Sequence, residues 1–328
     1  MKTLHLLLIL GSVISVVSTD DESMVLAGGL ILTTSVLLVS IVMHFNTQPE
    51  PLRTFNPAGL KSDLGQALFG QHIVSDVVLK AVSSFMADSK PNKPLVLSFH
   101  GTAGTGKNHV SKIIARNLYT TGENSKHVHT FIYDNQDSNA YSVWLKQFIH
   151  TNVANFPRSM FIFDEMDKMQ PQVIDVIKPF IDYNAHVNGV SFHKAIFIFL
   201  SNTGGKVIAD LALDFWREGR KREEIKMNSR DLEIMISESI SKNEKSGFWH
   251  SSLIEHHLID HFIPFLPLEL RHVRQCVLTE MEHLNKTQDA HLADKVARDM
   301  PFFPKIHRVF AEKGCKSVRQ KLALYVDE

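Results

Sequence analysis

The sequence predicts an α/β sandwich around a central parallel sheet, and three observations carry that expectation. Short, almost continuously apolar runs recur up to about residue 205, as strands buried on both faces require. Stretches with apolar residues at helical spacing lie between them. After the first run comes GTAGTGKN, residues 101–108, which fits the phosphate-loop pattern G-x-x-x-x-G-K-[ST] at every position except the last, Asn108. Alternation of strand and helix in this order argues for helices on both faces of the sheet.

The chain has 328 residues, enough for one large domain and a smaller one, with 44% hydrophobic and 21% charged residues. Its net charge is zero, so nothing points to nucleic acid as a partner. Lys2 followed by an apolar run to Ser18 reads as a secretory signal peptide, residues 1–18, cut before Thr19. The other reading is that residues 1–43 form one uncleaved anchor hairpin. Either one sends the rest of the chain into the secretory pathway. Residues 24–43 run for twenty positions without a charge, long enough to span a bilayer. Gly28, Gly29, Thr33, Thr34 and Ser35 leave lying in one leaflet equally open. Residues 44–59 carry three prolines and little periodicity and read as a linker.

From Leu60 an amphipathic pattern predicts two short helices broken near Gly70, then a polar turn from Asp88 to Pro94. Strands are predicted at PLVLSF (94–99), HVHTFIY (127–133), SMFIFDEMD (159–167) and KAIFIFLSN (194–202). Helices are predicted at 109–119, 141–150 and 172–181. Beyond residue 205 the strand signal fades, prolines punctuate 264–267, and the remainder reads as a mostly helical second domain with an apolar turn at MPFFP (300–304).

The loop lies between a strand and a helix, the context a phosphate site needs. Backbone N–H groups of Gly101, Thr102, Ala103, Gly104, Thr105 and Gly106, with those of Asn108 and His109 at the helix start, would hold the phosphates, and Lys107 would reach the outer oxygens. Asp164 at a strand end would hold Mg²⁺, directly or through water. Glu165 would orient and activate the attacking water. Asn202 ends the next strand, where it could fix that water or sense the γ-phosphate. Alone, Asp164 and Glu165 would read as helix caps; beside the loop they read as an acidic pair. The Asn108 amide can still meet a water on Mg²⁺, without the hydroxyl contact that Ser or Thr provides. The only cysteines, Cys276 and Cys315, either pair in an oxidising compartment or stand as two buried thiols. Asn285-Lys286-Thr287 is a glycosylation sequon, at Asn285, if the chain is lumenal.

GTGKN, FIFDEMDKM, FLSN, DFWREG, SGFWHSSLI and KGCKSV, in this order, resemble the torsin family over roughly residues 60–328. Torsins are AAA+ ATPases of the endoplasmic reticulum lumen and perinuclear space, distantly related to the Clp/HSP100 unfoldases. The resemblance implies an AAA+ three-layer sandwich over residues 60–266 and a small helical lid over 267–328. It implies ATP and Mg²⁺ as ligands, with Asn108 and Asp164 toward the metal. It implies Glu165 and Asn202 in catalytic roles, Lys316 as a second sensor reaching from the lid, and a Cys276–Cys315 disulfide beside that lysine. The segment LFGQHIV, 68–74, matches the stretch that lines the adenine pocket in related ATPases.

Departures from the wider Clp pattern carry their own expectations. An arginine that acts on a neighbour's nucleotide is replaced by Leu258, so hydrolysis by this chain alone should be slow. The resemblance implies that lumenal domains of membrane proteins of the lamina-associated polypeptide type supply the arginine, and that the chain forms homo-oligomers at a membrane. Arg217, Arg220 and Arg222 could supply a finger; their charged surroundings read instead as a solvated helix face. No glycine-flanked aromatic of a peptide-gripping pore loop lies between Lys107 and Asp164; Tyr133, Tyr141 and Trp144 fit core or helix-face positions better. Thr102 stands where close relatives often carry a bulky aromatic. The expected activity is partner-switched remodelling of proteins or membranes; the rival is a nucleotide-dependent scaffold in which hydrolysis only times disassembly.

Overall fold

The computed structural model describes residues 52–132, 138–228, 232–242 and 257–325. The signal peptide, the hydrophobic segment 24–43, the first half of the linker (44–51), Tyr133 and SGFWHSSLI lie outside the described residues. Among the described residues no helix is long and apolar enough to cross a membrane.

Five strands form one parallel sheet: β1 (Leu95–His100), β2 (Val128–Ile132), β3 (Met160–Asp164), β4 (Ile196–Ser201) and β5 (His261–Pro264). Their spatial order is β2-β3-β4-β1-β5. The four apolar runs of the sequence are β1 to β4. The fifth strand was not foreseen. It is four residues long, opens on a histidine and ends on Pro264. As an edge strand it pairs with β1 only, so a proline without an N–H is tolerated at its end. Asp260 ties its start to the centre of the sheet: one carboxylate oxygen accepts from Lys93 Nζ at 2.6 Å and the other from Val96 N–H at 2.8 Å.

Helix α1 (Pro57–Ala67) starts on a proline after Asn56, whose side chain accepts from Ala58 N–H at 3.0 Å. Gly70, in the left-handed region at φ +68°, breaks it from α2 (His72–Ala87), where the sequence placed the break. Helices α3 (Lys107–Leu118), α4 (Ser138–Asn155), α5 (Pro171–Ile181), α6 (Gly205–Arg217) and α7 (Leu232–Ser241) complete this part of the chain.

Side-chain alternation gives the sheet two different faces. Phe161 and Phe163 of β3 and Phe197 and Phe199 of β4 pack with residues of α4 to α7. Leu97, Phe99, Ile162 and Ile198 face residues of α1, α2 and α3. A third core begins at Leu268 and gathers Val273, Val277, Met281, Val296 and Leu322. It is built by α8 (Leu270–His283), α9 (Ala290–Arg298) and α10 (Val318–Ala323), with an antiparallel pair, β6 (Phe302–Phe303) and β7 (Phe310–Ala311), where an apolar turn was expected.

Candidate nucleotide site

β4 lies between β1 and β3, so the turn after β4 sits between the glycine loop that follows β1 and the acidic residues that end β3. Gly101, Gly104 and Gly106 all have positive φ. Gly106 in the left-handed region turns the chain into α3, whose first residue is Lys107. The Lys107 ammonium is buried beneath the loop. It donates to the Gly101 carbonyl at 2.7 Å, the Thr102 carbonyl at 3.0 Å and Asn202 Oδ1 at 3.1 Å. Burial lowers its pKa to about 8, against the opposing pull of Asp167 and Asp164. Lys316 adds to the lowering, which places a second positive charge near the same ammonium.

Asn108 Nδ2 donates to Asp164 Oδ2 at 2.8 Å, while Asp164 Oδ1 accepts from Glu165 N–H at 2.8 Å. Glu165 is left-handed at φ 55°, a conformation uncommon outside glycine and frequent at functional positions. Its side chain pairs with Lys168 at 2.8 Å. Glu165 stands at the N-cap position of a short 3₁₀ turn, Met166–Lys168, but its side chain makes no cap hydrogen bond, and helix α5 begins only at Pro171, so capping does not account for this pair.

Several residues proved different from expectation or were missed. His109 turns away from the loop, its Nε2 lying 3.0 Å from the Ala67 carbonyl; only its backbone N–H stays in the first turn of α3. Asp167, unremarked in FIFDEMD, accepts from Asn202 N–H at 3.0 Å and holds the polar end of β4 toward Lys107. Gln71, only 2% exposed, donates to the Thr105 and Leu266 carbonyls and accepts from Leu266 N–H, joining the loop to the end of β5. Its polarity inside an apolar segment was the available signal. His100 bonds Ser98 Oγ and the Thr203 carbonyl, and burial lowers its pKa to about 3, so it is a neutral strut under the loop. The Thr102 carbonyl accepts from Thr105 and Lys107, but nothing in the structure explains its side chain.

The cysteines are joined, with the Cys276–Cys315 pair 39 residues apart in sequence. Cys315 N–H donates to the Gly104 carbonyl at 3.0 Å, and a Cβ at Gly104 would collide with the Lys313 carbonyl oxygen. The turn that carries Lys316 is therefore seated directly on the phosphate loop. Asn285 is exposed in the turn after α8.

The three arginines separate. Arg217 pairs with Asp214, and Arg220 lies over the Phe215 ring; both are exposed, as expected. Arg222 corrects the solvated-face reading. It is 7% exposed, and its guanidinium donates to the Gly70 carbonyl at 2.9 and 2.6 Å and to the Pro267 carbonyl at 2.6 Å. It braces the structure and cannot reach out as a finger. Leu258 is 2% exposed and belongs to the core. Trp144 is 48% exposed, a helix-face position.

The residues fit a magnesium nucleotide. Three glycines leave the backbone open, one ammonium lies beneath, and an amide and a carboxylate face each other. No three-residue metal-ligating cluster of His, Cys, Asp or Glu occurs among the described residues. Mg²⁺ is commonly held by one or two carboxylates together with substrate phosphates and water.

The torsin family model matches residues 43–163, and the Torsin-1A C-terminal domain model matches residues 268–325. Among solved structures, the chain is similar to Hsp104 in a closed state with ATPγS and FITC-casein, at TM-score 0.60, 17% identity, 82% of this chain and 46% of that one. It is also similar to the Saccharomyces cerevisiae Hsp104–ADP complex, at TM-score 0.57, 17% identity, 82% of this chain and 48% of that one. The chain thus spans about half the length of the Hsp104 chains it matches. With the glycine loop, the acidic strand end and the Gly-Cys-Lys turn assembled at the carboxyl ends of the strands, the chain belongs to the torsin family and has an AAA+ fold of the Hsp104 kind.

Proposed function

We propose that this chain is a membrane-associated ATPase of the endoplasmic reticulum lumen and perinuclear space. It binds ATP with Mg²⁺, hydrolyses it slowly alone, and is switched on by an arginine donated in trans. The donor is the lumenal domain of a membrane protein of the lamina-associated polypeptide type. The work done is remodelling of proteins or membranes by a homo-oligomer, anchored through residues 24–43 after removal of residues 1–18, with a glycan at Asn285. Residues 60–266 act as the nucleotide-binding domain and 267–328 as the lid.

The observation that carries this reading is Leu258. The chain carries a complete set of nucleotide residues, yet the position where the wider Clp pattern has an arginine holds a core leucine. Lys107 neutralises phosphate charge, and the loop N–H groups orient it. Mg²⁺, held through Asp164 and Asn108, would supply charge neutralisation on the phosphate oxygens. Glu165 orients and deprotonates the attacking water, Asn202 fixes it, and Lys316 approaches from the lid. No group on this list meets the charge that builds in the transition state opposite Lys107, a contribution worth about 10³–10⁵ in rate in comparable systems.

The test is ATP turnover by the purified chain, alone and with the lumenal domain of a candidate partner, with Glu165→Gln as control. Near-zero turnover alone and stimulation of about 10³-fold by the partner are expected. Strong turnover alone would overturn the partner requirement. ATP binding without turnover in either case would favour the scaffold, read then as nucleotide-dependent polymers by sizing.

A further inference from the structure

Beside the phosphate loop lies a cleft of about 490 Å³, lined by Leu68, Gly70, Gln71, His72, His272 and Arg274, among others. Gln71 connects it to the loop through the Thr105 carbonyl, and the Leu68 side chain lies 3.0 Å from where a Cβ on Gly106 would stand. A base attached to phosphates on the loop would have this cleft beside it. Arg271 in its lining is paired with Glu223 and Glu269, whereas Arg274 has no ion-pair partner among the described residues and leaves the cleft one uncompensated cation.

Three polar side chains in the lining are almost wholly buried, and two of them, Gln71 and Arg222, spend their donors on backbone carbonyls. His272 is 6% exposed, and its ring lies on Gly70, where a Cβ would stand 2.8 Å from Nδ1 and Cε1. Only glycine, at φ +68°, lets the ring approach so closely. Glu269 N–H donates to His272 Nδ1 at 3.1 Å. A nitrogen that accepts this bond carries no proton, so in the neutral imidazole Nε2 must carry one. Burial, with Arg222 and Arg271 near, pushes the pKa to about 3, which keeps the ring neutral at any working pH. Nε2–H has no acceptor among the described residues. The fold has therefore locked one tautomer and left one N–H donor in a base-sized cleft whose other lining is mixed: Leu64, Leu68 and Phe69, the arginines, Glu223 and a few uncharged polar groups.

We propose that His272 donates its Nε2–H to a ring nitrogen of the adenine of bound ATP and thereby holds the base in register with the loop. The assignment rests on the nucleotide reading above. Adenine suits the arrangement because its ring nitrogens are acceptors with no proton of their own at N1, N3 or N7.

The test is binding of ATP and of its 1-deaza, 3-deaza and 7-deaza analogues to the full chain by calorimetry, in the native form and in two variants. His272→Asn keeps an acceptor for Glu269 N–H but does not reach the base; His272→Ala loses both, and thermal melts report whether each folds. One analogue should bind the native chain about five- to tenfold more weakly than ATP, the worth of one hydrogen bond. In His272→Asn that difference should vanish, with ATP itself weakened by the same factor. A purely structural role would weaken ATP and all three analogues alike. Analogues that all bind the native chain as ATP does would overturn the His272 assignment and leave the nucleotide reading intact. No ATP binding by the native chain would overturn both.

Discussion

Lys107 shows how much of this site depends on single side chains. Its ammonium is charged below pH 8 and loses its proton above, because burial lowers its pKa to about 8. Phosphate oxygens favour the charged form, so ATP affinity should be full at pH 7 and fall as pH rises through 8 to 9. Lys107→Arg, charged throughout, should flatten that profile, which calorimetry across the range would read. The arginines allow an equally direct comparison. Arg222→Ala removes donors from two buried carbonyls and should cost about 2–4 kcal/mol in denaturant unfolding. Arg217→Ala touches only an exposed pair and should stay within about 0.5 kcal/mol. An unchanged ATP turnover in Arg217→Ala would also retire it as an internal finger. Leu258→Arg should not create one either. At a site 2% exposed it buries an unpaired guanidinium, and loss of folding, not gain of turnover, is the expected outcome.

At the scale of elements, two connections hold the site together. Asp260 anchors β5 to β1 through Lys93, which is 7% exposed. Asp260→Ala leaves that ammonium buried without its partner, and a loss of about 3–5 kcal/mol is expected, with the edge strand first to lose amide protection in hydrogen exchange. The second connection is the disulfide between α8 and the turn before α10. It closes a loop of 39 residues, for which chain entropy gives about 4 kcal/mol. Because Cys315 also bonds the Gly104 carbonyl, reduction should change nucleotide affinity as well as stability. Cys276→Ser should remove that response to reductant. Equal affinities for the oxidised and reduced chain would sink the redox idea while leaving the structural role of the bridge.

For the whole molecule, nucleotide should act as a brace. The loop touches β1, the end of β5 through Gln71, the polar end of β4 through Lys107, and the turn that carries Lys316. A ligand on that loop stabilises all of them at once. ATP at a hundred times its Kd should add about 2.7 kcal/mol, a rise of roughly 4–5 °C in Tm. Glu165→Gln, which leaves the loop intact, should show the same rise; Lys107→Ala should show none.

The residues of the site were legible in the sequence because each announces its chemistry locally. GTAGTGKN requires backbone approach and a cation, DE at an apolar strand end requires exposed carboxylates, and four apolar runs require a sheet buried on both faces. Family resemblance extended this to Lys316 and the cysteine pair. What only the tertiary structure decided concerns residues whose role is set by distant neighbours. Strand order places Asn202 between Lys107 and Asp164, and no local pattern encodes order. β5 is too short and too polar at its start to declare itself; it becomes a strand because β1 offers an open edge. Arg222 lies in a charged run and looks solvated until the Gly70 and Pro267 carbonyls take its protons. His272 acquires a fixed tautomer only because the helix it sits on presents Glu269 N–H to one nitrogen of its ring, Nδ1. Periodicity and motif are properties of neighbours along the chain, whereas burial and hydrogen-bond partnership across 150 residues or more are properties of the packed molecule.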